Sequence, residues 1–213
     1  MTDARRQEIH DRACLFWVQQ ELDRLPVSPR RLVARNRWGL VTYRRLAELH
    51  GLTVGDLTRA CCSRDGFTVF NGRNCCIACN DAMTAGRVRF TLMHEIGHIV
   101  LEHLRRPDYA LPWEPADPEL ETEASFFAGC VLAPAAAIRL CGLTEPGSLA
   151  AACGLSHEAA VRRLAEYALL PPREADLAVA RRLAAYRKAA VRSRADMGAA
   201  EIFCDDDRIF PAM

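Results

Sequence analysis

Arg89-Phe-Thr-Leu-Met-His94-Glu95-Ile-Gly-His98-Ile-Val-Leu101 is the stretch that decides how this chain folds. No proline interrupts it, and Phe90, Leu92, Ile96, Ile99, Val100 and Leu101 surround two histidines and a glutamate. On a helix, residues four apart share a face and lie about 6 Å apart along the axis. His94 and His98 therefore converge, and two imidazoles so placed suit one tetrahedral zinc with Zn–N of about 2.0–2.1 Å. Glu95 projects beside the first of them, close enough to take a proton from a metal-activated water without being a ligand. The plain alternative is a core helix with two hydrogen-bonded histidines. It would bury several polar groups with nothing to satisfy them.

A catalytic zinc needs a third protein ligand and an open position. Glu102 falls on roughly the same face but about 12 Å along the axis from His94, too far for one metal. His103 is rotated off that face. The longer pattern H-E-x-x-H-x-x-G-x-x-H fails, because Leu101 and Leu104 stand where Gly and His belong. The next acids lie in Glu119-Leu-Glu121-Thr-Glu123-Ala-Ser125-Phe-Phe-Ala128. The apolar face of that helix runs through Ala124, Phe127, Ala128, Val131 and Leu132, and Glu121 continues it by one turn. Glu119 and Glu123 are rotated away by about 160° and read as a solvated face at a helix N-terminus. Glu121 is the expected third ligand, and Ser125 is placed to hydrogen-bond a metal-bound histidine.

Outward from the site, periodicity predicts an amphipathic helix over residues 3–25, ended by Pro26 and Pro29, and short helices at Tyr43–His50 and Val54–Cys61. Gly66–Phe70 and Asn74–Cys79 around Asn71-Gly72 read as a β-hairpin. Helix resumes near Arg87 and runs to about Arg105. A proline-rich loop leads to a helix from about Glu119 to Cys141, broken or kinked at Pro134. Two short helices (Ser148–Cys153, His157–Tyr167) and a last one (Arg173–Arg194) follow. The fold class is α+β. The expected division is an N-terminal helix and connector (1–35), a core (36–140), a helical C-terminal part (141–196) and a flexible tail (197–213).

The 213 residues carry 28 basic and 27 acidic side chains, which excludes a globally basic nucleic-acid binder. Half of the chain is apolar, which excludes wholesale disorder. The charged start lacks a signal-peptide pattern, and the apolar stretches read as too short for a membrane span. With no such leader, the ten cysteines read as reduced thiols in a cytoplasmic protein.

Gly86-Arg-Val-Arg-Phe-Thr-Leu-Met-His-Glu-Ile-Gly-His98, followed by Glu121-Thr-Glu-Ala-Ser-Phe-Phe-Ala-Gly-Cys-Val-Leu-Ala-Pro134, resembles the ImmA/IrrE-type metallopeptidases. The family reads R-F-T-x-A-H-E-x-G-H and then E-x-x-A-N-x-F-A-x-x-L-L-x-P, so Met93 and Ser125 depart from it. The resemblance spans about residues 40–170. It implies a small zincin-like core with a short sheet, Zn2+ on His94, His98 and Glu121, and Glu95 as general acid/base. It also implies a protein substrate, a helix-turn-helix repressor of phage, mobile-element or stress genes. Manganese or iron would suit the same ligands.

Three further features carry weaker readings. Cys76 and Cys79 form one C-x-x-C, but a pleated strand points them to opposite faces, so they read as packed thiols. If their strand is the edge bordering the cleft, it could hold an extended peptide. Leu149–Leu164, with Gly154 in the turn and Ser156 as cap, resembles a helix-turn-helix whose Arg162 and Arg163 could face phosphates; as a common element of the family it resembles, the segment reads first as scaffold or substrate docking. The rival to an enzyme is accordingly a DNA- or protein-binding regulator with a structural metal.

Overall fold

A computed structural model describes residues 1–61, 63–107, 109, 111–112, 114 and 116–184. The elements in chain order are α1 (Asp3–Gln19), α2 (Pro29–Arg35), β1 (Gly39–Thr42), α3 (Tyr43–His50), α4 (Val54–Ala60), β2 (Gly66–Phe70) and β3 (Cys75–Cys79). Then come α5 (Ala85–Val100), a 3-10 turn (His103–Arg105), α6 (Pro118–Leu132), α7 (Ala135–Cys141), α8 (Pro146–Cys153) and α9 (His157–Ala168). A last helix, α10, starts at 174 and continues to residue 184. The protein is mixed α+β, a mostly helical fold around one small sheet. The remainder of the expected last helix, the expected tail, Cys62 and Trp113 lie outside the described residues.

The hairpin forms as its sequence predicts. Asn71 Oδ1 accepts from the backbone N–H groups of Arg73 and Asn74, and Gly72 takes the positive φ of 85° that the turn requires. β2 and β3 pair antiparallel with Thr68 opposite Ile77. The sheet has a third strand, β1, parallel to β3, so the order is β1-β3-β2. β3 is thus central and β1 and β2 are the edges, which corrects the conditional expectation of the cysteine strand as the edge bordering the cleft. Four residues, Gly39–Thr42, are too few for an alternation signal, so β1 left no trace in the sequence pattern.

The sheet has two covered faces. Ile77 and Cys79 join the main core under α5, while Ala78 packs with Tyr43 and Leu57 beneath α3 and α4. Thr68, opposite Ile77, therefore points toward α5. Gly66 allows that approach, since a Cβ there would come within 2.7 Å of Thr91 Cγ2 and 2.9 Å of the Ala78 carbonyl.

Helix α6 is the centre of the molecule. Phe16 of α1 meets Phe127 edge-on at 5.6 Å, and Trp17 Nε1 donates to the Val131 carbonyl at 2.8 Å. Pro134 separates α6 from α7, as expected. Pro118–Cys141 is long and apolar enough to cross a membrane, against the expectation that such stretches fall well short. Yet 78% of its most apolar window is buried in the protein, and a core helix meets the same criterion.

Two helix ends differ from the pattern reading. α1 stops at Gln19, where Glu21 turns left-handed (φ 52°) and Leu22 N–H bonds back to the Trp17 carbonyl. That C-terminal motif usually advertises itself by a glycine, and here it has a glutamate. α5 ends at Val100 because Glu102 is left-handed (φ 62°), with consequences for His103. α8, Gly154 (φ 62°) and α9 with Ser156 as N-cap do form a helix-turn-helix arrangement. Arg163, however, is 1% exposed and donates from Nε to the Ala133 carbonyl, so it braces α9 on α6 and cannot face phosphates. Arg89 of α5 donates to the Gly154 carbonyl and ties the same turn to the core.

Candidate metal centre

His94 and His98 leave α5 on one face, and Glu121 reaches them from the first turn of α6. The two helices come unusually close because residue 97 is glycine. A Cβ there would sit 3.0 Å from the Ala124 carbonyl oxygen, 3.2 Å from Ala124 Cα and 3.2 Å from Phe127 Cδ1. The three ligand side chains converge at nearly equal separations. His94 Nε2 and His98 Nε2 are 3.1 Å apart, and Glu121 Oε2 and Oε1 lie 3.1 Å and 3.2 Å from them in turn. A zinc tetrahedron with bonds of about 2.0–2.1 Å has edges of about 3.3 Å. The residues present therefore fit a metal ion, and they are one of two such groups among the described residues. All three sequence-predicted ligands are brought together here.

Outer hydrogen bonds fix which ring nitrogens face inward. With Nε2 as the ligand atom, each imidazole carries its proton on Nδ1. His94 Nδ1 then donates to Ser125 Oγ at 3.1 Å, the role expected of Ser125. His98 Nδ1 meets His103 Nδ1 at 3.1 Å, and His103 Nε2 meets Glu123 Oε2 at 3.1 Å. One proton order satisfies both contacts: His98 donates to a neutral His103, which donates to the Glu123 carboxylate. Arg5 of α1 closes the chain, donating to both Glu123 oxygens at 2.8 Å and 2.6 Å.

The electrostatics agree with that order. Burial and the neighbouring His98 push His103 down to about 4, against the pull of Glu123, so it is neutral near pH 7. The Arg5 guanidinium holds the Glu123 carboxyl below its usual range. Burial would raise Glu121, but its bonds to His94 and His98 outweigh that and hold its carboxyl well below the usual range. Burial and the Glu95 and Glu121 carboxylates push the Tyr109 phenol upward, so it stays protonated; its ring stands edge-on to His98 with centroids 5.8 Å apart.

His103 and Glu123 are the residues that sequence reasoning missed. Glu123 is buried, 5% exposed, and not on a solvated face. The single-face reading of α6 fails because α1 covers the side it assigned to water; the near-continuous apolar run from Ala124 to Ala133 was the available signal. His103 is off-face on a continuous helix, and only the left-handed turn at Glu102 swings it behind His98. Glu119, by contrast, is exposed as expected.

Glu95 sits beside the three ligands, 5% exposed, and accepts a 2.7 Å hydrogen bond from Thr68 Oγ1 on β2. The group opens into a cleft of about 340 Å3 bordered by Gly66, Phe67, Tyr109 and Leu120. A second groove, lined by Arg6, Arg162 and Glu166, also has Glu121 and Ser125 in its wall.

The sequence profile of the IrrE N-terminal-like domain, a peptidase family, matches residues 49–165, more than half of the chain. The chain belongs to this family. The matched segment contains α5, α6 and the whole group of His94, Glu95, His98 and Glu121. No curated protein sequence matches the chain. Membership assigns the IrrE-like chain a metallopeptidase type of function, and the three-residue group is where the metal of such a protein fits.

Proposed function

We propose that the chain is a zinc-dependent endopeptidase of the His-Glu-x-x-His type, acting in the cytoplasm on a helix-turn-helix repressor. The observation that carries the reading is the triangle of His94, His98 and Glu121 at the floor of an open cleft, with the Glu95 carboxylate beside it. His94, His98 and Glu121 would hold the ion and leave the cleft side of its coordination sphere for water and substrate. When bound there, zinc supplies Lewis acidity, polarising the scissile carbonyl and lowering the pKa of water toward ~7.

The protein's own groups do the rest. Glu95 accepts the water proton and returns it to the leaving amine. Thr68 orients the Glu95 carboxylate, and Ser125 and His103 hold the two imidazoles. β2 borders the cleft and is the last strand of the sheet, which suits an extended peptide laid along its outer edge. The cleft and the second groove meet at Glu121 and Ser125, and this added space suits a substrate that extends beyond the cleaved bond, which favours an endopeptidase.

The test is incubation of the purified zinc-loaded protein with the helix-turn-helix repressor encoded beside its gene. Two discrete fragments should appear, and chelation should stop their formation. An intact repressor after prolonged incubation with fully loaded protein, together with unchanged target-gene expression on overproduction in cells, would overturn the repressor-cleavage reading.

A further inference from the structure

A second group of metal-binding residues lies in the core, outside the cleft. His10 and Cys14 are four apart on α1, the same spacing that brings His94 and His98 together. Asp176 of α10 meets them. His10 Nε2 is 2.9 Å from Asp176 Oδ1 and 3.7 Å from Cys14 Sγ, and Cys14 Sγ is 3.9 Å from the same Asp176 oxygen. Zinc held by one nitrogen, one sulfur and one oxygen at its ordinary bond lengths has ligand–ligand edges of about 3.3–3.6 Å. The group needs only small adjustments to reach that size. Cys130 of α6 is close enough to interact with both His10 and Cys14. His10, Cys14, Cys130 and Asp176 are all at least 95% buried.

We propose that His10 Nε2, Cys14 Sγ and Asp176 Oδ1 form a structural zinc site that clamps α10 onto α1. Three features separate this from an ordinary buried ion pair. A His–Asp pair has no use for a thiol, whereas thiolate and imidazole together are a preferred zinc donor set. The outer oxygen of Asp176 is clamped by Arg139 Nη1 at 2.8 Å and by the Arg173 N–H at 3.1 Å, which leaves Oδ1 presented to His10 and Cys14. One thiolate and one carboxylate together neutralise a divalent ion. Residues 10, 14 and 176 also lie outside the family match, so this site is a feature of the chain's own flanking helices. The inference does not depend on the proposed peptidase activity.

The experiment uses cobalt, because only a thiolate ligand gives the intense sulfur-to-cobalt charge-transfer band. The full-length protein is stripped with chelator, titrated with Co2+, and back-titrated with Zn2+. Wild type should take up about two ions per chain and show the band. His98→Ala should take up about one and keep the band, whereas Cys14→Ala and Asp176→Asn should take up about one and lose or displace it. If the core variants fail to fold, the wild-type band together with protection of Cys14 from a thiol reagent in the presence of Zn2+ decides the matter. A wild-type protein that binds one Co2+ with no thiolate band, and leaves Cys14 freely titratable by a thiol reagent after mild unfolding in the presence of Zn2+, overturns the proposal. A thiolate band that survives in wild type while His98→Ala changes nothing would instead overturn the cleft metal and leave this site standing.

Discussion

His103 Nε2 lies 3.1 Å from Glu123 Oε2, and through that contact the N-terminal helix reaches the metal centre. Arg5 fixes Glu123, Glu123 fixes His103, and His103 receives the Nδ1 proton of His98. Groups that orient a metal-bound histidine in this way contribute about 10–100-fold to metal affinity. His103→Ala should weaken zinc binding by about that factor, measured by competition with a chromophoric chelator, with the helical circular-dichroism signal retained. An unchanged affinity would mean that packing and the Tyr109 hydroxyl, 3.5 Å from His98 Nδ1, hold His98 without His103.

Glu121 and Glu123 are two residues apart on α6 and should respond differently to the same change. Glu121→Gln removes a ligand charge and should abolish tight zinc binding. Glu123→Gln keeps a side chain that can still accept from His103 but loses its ion pair with Arg5. It should retain zinc with an affinity reduced by roughly 10-fold, while the melting temperature falls. Isothermal titration and thermal denaturation of the two variants separate these outcomes. Equal loss of zinc in both would assign Glu123 a direct role at the metal.

Gly97 is the residue that lets α5 and α6 approach closely enough for Glu121 to reach both histidines. Alanine there places a methyl group 3.0–3.2 Å from the backbone of Ala124 and the ring of Phe127. Overpacking of this kind costs about 1–3 kcal/mol, and spreading the helices also pulls Glu121 from His94 and His98. Gly97→Ala should therefore lower both urea midpoint and zinc affinity. A variant with reduced stability and wild-type zinc affinity would show that the helices relax elsewhere along their length.

The centre was legible where a regular helix carried the information. The four-residue spacing of His94 and His98 needs only helical geometry, and Glu121 follows from the apolar rows of α6. What escaped depended on breaks in regularity and on distant partners. His103 turns toward His98 through one left-handed residue, Glu102, of a type that rarely adopts that conformation. Glu123 looked solvated because it sits among acids at a helix N-terminus; the apolar run after it hints at a second covered side but does not say that α1, more than a hundred residues earlier, covers it. Thr68 is ordinary in a strand, and its role appears only once the pairing with Ile77 sets which face it shows to α5. The group of His10, Cys14 and Asp176 spans nearly the whole described chain, so no local pattern could reveal it.

Glu95 offers the sharpest test of mechanism. It is not part of the ligand triangle; its carboxylate is held beside it by the 2.7 Å bond from Thr68 Oγ1. Glu95→Gln keeps length and shape but cannot take up a proton near neutral pH. The variant should bind zinc and repressor as wild type does, while cleavage falls by about 10²–10⁴-fold, the usual cost of losing a general acid/base. Thr68→Val removes only the orienting bond. A hydrogen bond to a charged group is worth about 1.5–3 kcal/mol, so turnover should fall by roughly 10–100-fold with little change in KM. In the double variant the effect of Thr68→Val should vanish, because there is no longer a base to orient. If the two losses instead multiply, Thr68 acts on substrate and not through Glu95. If Glu95→Gln cleaves at the wild-type rate, proton transfer in this cleft belongs to another group.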